Sequence, residues 1–280
     1  MAGVRIVTDS ACDLPQDVVD RHGIAIVPLT IRFGDEEFVD RIDLSASDFY
    51  KRMATSSELP QTAAPSPGAF EEAFTRMADE GADAVVCINL SSKLSATMAS
   101  AQNAASALEG KVDVRVVDSR SITAGLGTQV ILAAEAAAEG RSADDIAALA
   151  QDLSGRTRVL GALDTLENLK KGGRIGGAQA LLGTMLSIKP LVDISTGEVE
   201  EAGKQRTRRK AMLWLRDSLA DAGPYERLAV CQGDAPDCAE FKTVLSEKFD
   251  LSDTRDAFIG ATIGTHGGPR ILGLSWLTPA

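Results

Sequence analysis

Residues 84–108, AVVCINLSSKLSATMASAQNAASAL, decide how this chain is read. Ala84–Leu90 is a short apolar run rich in β-branched residues and predicts a buried strand. Met98–Leu108 is rich in alanine and predicts a helix. Between them, Asn89–Thr97 (NLSSKLSAT) places three serines and a threonine at the carboxyl end of the strand. A helix start there offers unpaired backbone N–H groups and a partial positive charge, which suit an anion. The same pattern also serves an ordinary strand-to-helix turn in which a serine caps the helix. The stretch alone does not separate the two readings.

Outward from this unit the strand-then-helix rhythm continues. Toward the amino end, Val4–Val7 predicts a strand ending in Thr8-Asp9-Ser10, and Asp13-Leu14-Pro15 a helix start with Asp13 or a neighbour as cap and Pro15 in the first turn. Ile24–Phe33 reads as one further strand, and Ser45 or Ser47 caps a helix through Met53. Leu59–Pro67 (LPQTAAPSP) is a loop kept extended by its prolines, and Ser66-Pro67 opens a helix to Asp79. Beyond the unit, Val112–Val117 is a strand ending in Asp118-Ser119, followed by helices Ile122–Glu139 and Asp144–Leu153. This alternation predicts an α/β fold with a mostly parallel sheet, whose ligands sit at the carboxyl strand ends. Thr8–Ser10, Ser91-Ser92 and Asp118-Ser119 would then share one rim.

From about residue 155 the pattern changes. Arg158–Leu163 is a strand, Thr165–Lys171 a short helix, and Gly172–Gly177 (GGRIGG) a flexible loop. Ile188–Ile194 and Glu198–Glu201 flank a hairpin turn at Ser195–Gly197. Thr207–Ala222 and Pro236–Lys248 are helices around the strand Tyr225–Cys231, and Phe258–Gly273 is a glycine-rich passage containing His266. The expected organisation is two α/β domains, residues 1–155 with a mostly parallel sheet and 156–280 with a mixed sheet, and a ligand-binding cleft between them.

The 280 residues carry a net charge of −11, with 44% apolar, 25% charged and only 4% aromatic residues. The core must therefore rest on Ala, Val, Leu and Ile, and the acidic balance argues against nucleic acid as partner. Four cysteines, Cys12, Cys87, Cys231 and Cys238, match no zinc spacing, and two histidines, His22 and His266, exclude a His-rich metal site. No run reaches the length of a membrane span, and the start MAGVRIVTDS is too short in apolar length for a signal peptide; the expected location is the cytoplasm.

The residues that could carry chemistry are scattered. Thr62 lies in the proline-stiffened loop, His266 among glycines that let backbone approach a ligand, and Arg174 between two glycine pairs. Arg206, Arg208, Arg209 and Lys210 crowd a helix start, where positive charge opposes the dipole, so a partner-binding role is a candidate. A serine hydrolase or acyltransferase using Ser95 or Ser92 with His266 remains an alternative, although no G-x-S-x-G elbow is present. No nucleotide phosphate loop of the G-x-x-x-x-G-K-[ST] or G-x-G-x-x-G kind occurs where it is needed.

An ordered set of stretches carries more. VTDSACDLP (7–15), TAAPSP (62–67), LSSKLSAT (90–97), LKKGGRI (169–175), Lys189-Pro190 and GTHGGP (264–269) together resemble the DegV family over essentially the whole chain. The resemblance implies a two-domain α/β fold that buries a long-chain fatty acid and needs no other cofactor. It implies a non-catalytic lipid carrier, the fatty-acid-binding subunit of a bacterial fatty acid kinase. A separate DhaK/DhaL-like subunit would form an acyl phosphate for phospholipid metabolism, with transient membrane-surface contact. By the same resemblance Thr62, Ser92, Ser95 and His266 would hold the carboxylate, Arg174 would stand near the pocket mouth, and Arg206, Arg208 and Arg209 would meet the kinase subunit. The apolar tail would run past segments such as Leu181-Leu182 and Met185-Leu186. The chain departs from the family's common TSQPSP at Ala63 and Ala64, has Ala96 where glycine is usual, and Arg270 where a small glycine is common.

Overall fold

The computed structural model describes residues 3–181 and 188–280; Leu182, Met185 and Leu186 lie outside them. In the first half, β1 (Val4–Asp9), α1 (Gln16–His22), β2 (Ala25–Val27), β3 (Thr30–Phe33), β4 (Glu36–Val39), α2 (Ala46–Thr55), β5 (Gln61–Ala63) and α3 (Pro67–Asp79) follow in order. Then come β6 (Ala84–Asn89), α4 (Thr97–Ala107), β7 (Val114–Asp118), α5 (Thr123–Ala138) and α6 (Ala143–Arg156). The second half holds β8 (Thr157–Ala162), α7 (Glu167–Lys171), β9 (Lys189–Asp193), β10 (Glu200–Gln205), α8 (Arg208–Asp221) and β11 (Glu226–Gly233), then α9 (Cys238–Ser246), β12 (Arg255–Phe258), α10 (Ala261–Gly267) and β13 (Ile271–Leu277).

Strands β2-β1-β6-β7 form an all-parallel sheet. Every residue of β6 is buried, as a central parallel strand covered on both faces requires. One face packs Ile6, Val86 and Ile88 on α5 and α6 residues such as Leu126, Val130 and Ile146. The other packs Val7, Val85 and Cys87 on Phe70, Phe74 and Ala101 of α3 and α4. A six-stranded mixed sheet, β10-β9-β8-β13-β11-β12, starts one residue after α6 ends. Its β13 alternates cleanly: Leu272, Leu274 and Trp276 face α8 and α9, while Ile271 faces the opposite side. α5 packs against strands of both sheets.

A small antiparallel sheet, β4-β3-β5, accounts for two differences from the sequence reading. Ile24–Phe33 is two strands in two sheets, because Pro28 lacks the N–H that would carry the ladder onward. The proline-stiffened loop contains β5, where Thr62 pairs with Ile31. Two further differences follow from long-range contacts. Asp13 does not cap α1, whose cap position is Pro15; it sits buried at φ 48° and accepts a hydrogen bond from the Gly260 N–H at 2.9 Å. The glycine-rich passage is α10, packed on β3, β5 and α2, where a side chain on Gly264 would lie 2.7 Å from Phe49 and from the Tyr50 hydroxyl. The hairpin expected around Ser195–Gly197 is present as β9 and β10.

Candidate functional site

An apolar cavity of about 880 Å³ of space between atoms, its mouth included, lies over the inner face of the six-stranded sheet. Its walls come from both halves of the chain: Leu29, Leu90 and Ile122 from the first, Val159, Val192 and Ile271 from the second. Polar side chains also line it: Thr62, Ser95, Arg174 and His266, together with Thr123 and Thr262.

Each of the first four reaches the cavity for a local reason. Thr62 is held on β5 by the pairing with β3. His266 stands on the last turn of α10, which ends at Gly268 with φ 79°. The Asn168 amide donates to the Thr265 carbonyl at 3.0 Å and steadies that helix end. The Thr62 hydroxyl and His266 Nε2 then meet at 2.8 Å, although 204 residues separate them. Gly172 makes the meeting possible: a Cβ there would lie 2.4 Å from His266 Nδ1. Burial foremost, and then the Arg174 charge, push the imidazole down to about 4, so it is neutral at pH 7. Its Nδ1 is buried and has no hydrogen-bond partner among the described residues.

The serine loop is fastened from outside. Ser91 donates to the Gly197 carbonyl at 2.5 Å, and Lys93 pairs with Glu198 at 2.7 Å, so the β9–β10 turn clamps the loop. Ser95 then faces the cavity, its hydroxyl 2.8 Å from that of Thr97 and accepting the Thr97 N–H at 3.3 Å. Arg174 bridges the mouth, with Nε donating to the Leu94 carbonyl at 3.2 Å and Nη1 to the Gly172 carbonyl at 2.6 Å. A second, polar pocket opens on the far side of Thr62, His266 and Arg174, walled by Ser57, Glu58 and Lys171 among others.

The structure therefore brings Thr62, Ser95, Arg174 and His266 together and leaves Ser92 outside. Ser92 is exposed and spends both its N–H and its hydroxyl on Asp118. The rest of the polar rim is likewise used internally. Asp9 accepts from the N–H groups of Ala11 and Leu90 and from Asn89, and Thr8 donates to the Ile88 carbonyl. Neither the Ser95 hydroxyl nor His266 is bonded to the other, so the pairing that a serine nucleophile requires is not formed. Among the described residues no three His, Cys, Asp or Glu side chains are placed to hold a metal ion. No helix among them is long and apolar enough to cross a membrane.

The basic run is mostly engaged within the chain. Arg208 grips Asp237 with two hydrogen bonds, at 2.8 and 3.1 Å, and lies 3.6 Å from Asp164; Arg209 pairs with Glu240 at 2.9 Å. These carboxylates, with Thr207 as cap, offset the dipole conflict that the sequence raises. Arg206 and Lys210 are exposed and have no ion pair among the described residues. Arg270, at φ 62°, occupies the left-handed region that glycine favours and lies 3.4 Å from Asp164. Sequence reasoning missed Gly172, Ile122 and Ile263; the glycine doublet ahead of Arg174 was the available signal for the first.

Fold and cavity together define an α/β protein built around one apolar chamber with a hydroxyl–imidazole–guanidinium end. A family model described as an uncharacterised protein of the DegV family matches residues 3–279. The chain belongs to the DegV family. A DegV domain-containing protein of Streptomyces coelicolor is 37% identical over 278 residues, covering 97% of each chain. A DegV family protein of Thermus thermophilus, described for its fatty acid binding, shares the fold at a TM-score of 0.90 and 33% identity, over 99% of this chain and 100% of that one. DegV of Bacillus subtilis, described as a fatty acid binding protein, does so at 0.89 and 30%, over the full length of both.

Proposed function

We propose that this chain holds a long-chain fatty acid with its carboxylate at Thr62, Ser95 and His266, its tail in the apolar cavity, and Arg174 at the mouth. The observation that carries this reading is the position of the Thr62–His266 pair, where the apolar cavity meets the open polar pocket. Burying a carboxylate without donors is costly. With His266 neutral, Nε2–H donates to the Thr62 oxygen and frees the Thr62 O–H to donate to the acid, with Ser95 as a second hydroxyl donor. The tail supplies the affinity: sixteen carbons gain up to about 12 kcal/mol at roughly 0.8 kcal/mol per methylene, less the cost of ordering.

Lipid extraction and native mass spectrometry of the purified protein test the reading. A C14–C18 acid that co-purifies or is taken up is the expected result, and no uptake at any length overturns it. Thr62→Val and Ser95→Ala should keep the fold and weaken binding by about tenfold to a hundredfold each, the loss of one hydrogen bond to a charged group. Unchanged affinity in both would remove the carboxylate from this end.

The polar pocket beside the pair gives a second protein access to the carboxylate, which supports presentation to a kinase subunit. There a carboxylate oxygen would attack the γ-phosphorus of ATP, leaving ADP and an acyl phosphate. Arg206 is the cation of the basic run nearest its start that is free to meet such a partner. Arg206→Glu is expected to lower acyl phosphate formation by roughly tenfold, as for a lost interfacial charge pair, with the acid still bound. Equal rates for both proteins would clear Arg206 of that role.

A further inference from the structure

Across the inner face of the six-stranded sheet, hydrogen-bond register sets Cys231, Gly273, Gly161 and Val192 side by side on β11, β13, β8 and β9. Residues directly opposite one another project to the same face, and all four line the cavity. Two residues to one side, the neighbouring row carries Val159 and Ile194; two residues to the other, Leu163 and Ile271. Branched side chains thus stand on both banks of a row whose middle two members have none. The result is a trough across the strands, three inter-strand steps or roughly 14 Å long. The four polar groups at the mouth come from β5, the serine loop, α10 and the segment after α7, and none from this sheet.

The two glycines are there for different reasons. A Cβ on Gly273 would lie 2.7 Å from the Leu160 carbonyl oxygen, so the sheet itself demands glycine. Gly161 meets no such demand. It has no left-handed φ, and a Cβ there would meet Val192 Cγ2 at 3.3 Å and no backbone atom nearer than the Leu272 oxygen at 4.0 Å. Glycine inside a strand weakens it, so the sheet gains nothing from this one. What the missing side chain leaves open is the floor of the cavity.

We infer that Gly161 is a specificity-determining residue: the bare Gly161–Gly273 trough is where the far part of a long acyl chain lies, and position 161 sets how far that chain can run. The inference rests on the proposed fatty acid reading and adds to it the class of acid, one long enough to cross the row.

The test compares the wild-type chain with Gly161→Val and Gly161→Ala, each stripped of lipid, against decanoate, myristate and stearate by titration calorimetry. Excluding about two methylenes from burial corresponds to a roughly tenfold loss. Stearate should therefore bind Gly161→Val at least about tenfold more weakly than wild type, with Gly161→Ala intermediate. Decanoate, eight carbons shorter than stearate, should change by less than about threefold. A stearate-to-decanoate ratio unchanged in both variants overturns the inference. If Gly161→Val does not fold, Gly161→Ala and Cys231→Val, in the same row, decide it on the same ratio. Failure of the wild type to bind any of the three acids overturns the fatty acid reading itself, a separate result.

Discussion

Gly172→Ala is expected to lower fatty acid affinity by roughly tenfold or more and to cost about 1–3 kcal/mol of stability, the usual penalty for overpacking. The backbone at Gly172, φ −75° and ψ −7°, is ordinary for alanine, so strain in the chain is not the cause. The cause is space. The new methyl would lie 2.4 Å from His266 Nδ1 and 3.1 Å from Cε1, and the ring must turn away from Thr62 to make room. For a chain of this size the stability loss corresponds to a melting point lower by a few degrees, about 2–4 °C per kcal/mol. A double-mutant cycle separates this from a general defect. In a His266→Ala background only the Asn168 carbonyl oxygen, 3.0 Å away, still crowds the methyl, so adding Gly172→Ala should cost less stability than in wild type, with a coupling of about 0.5–3 kcal/mol. Wild-type affinity in Gly172→Ala would show that the imidazole does not hold the acid.

The second large effect is on pH. Burial pushes the Asp13 carboxyl from 3.8 up to about 7 and that of Asp9 up to about 6, and it raises Asp40 as well. Asp9 keeps its high value despite three donors, because no solvent reaches it. In the folded protein these groups hold protons that the unfolded chain has released, so stability is present at low pH and is lost as pH rises from about 4 through 6 and 7. His266 acts in the opposite sense. Its value falls from 6.5 to about 4, so its contribution is lost as pH falls through that window and regained as pH rises. The carboxyls outnumber the imidazole. Between pH 5 and pH 8 the ligand-free protein should therefore melt at progressively lower temperature.

Asp13 dominates the upper part of that fall, where His266 no longer titrates. Asp13→Asn should remove up to about 4 kcal/mol of the pH dependence, three pKa units at 1.36 kcal/mol each. The variant should then gain on wild type as pH rises, with a larger advantage in melting temperature at pH 8 than at pH 5, by scanning calorimetry. An equal difference at the two pH values would mean that Asp13 titrates alike in both states.

Much of the fold was legible because its signals are local. The apolar run of β6 and the alanine-rich α4 announce themselves, as does the serine cap and first-turn proline of α3. The losses came where tertiary contact overrides local preference. α10 has only seven residues and two glycines, and it is a helix because β3, β5 and α2 pack around it. β5 sits between prolines that suggest a loop, and nothing near residue 62 announces its pairing with Ile31. For the site, the reverse holds: the motifs named Thr62, Ser95, Arg174 and His266, but not that β5 and α10 would bring Thr62 and His266 within 2.8 Å of each other. Ser92 was drawn in by its neighbours in LSSKLSAT, whereas Asp118, a strand away, claims it. The arginine run showed its charge in the sequence but not the carboxylates of Asp237 and Glu240 that absorb it.

The 204 residues between Thr62 and His266 also order events in time. A ribosome delivers the threonine long before the histidine, and the domain-forming strands around it can settle first, since folding during synthesis proceeds from the amino end. The imidazole arrives only with α10, just ahead of the last strand. That strand, β13, carries Ile271 and Gly273 of the cavity wall, so neither the clasp nor the full wall exists until β13 is made.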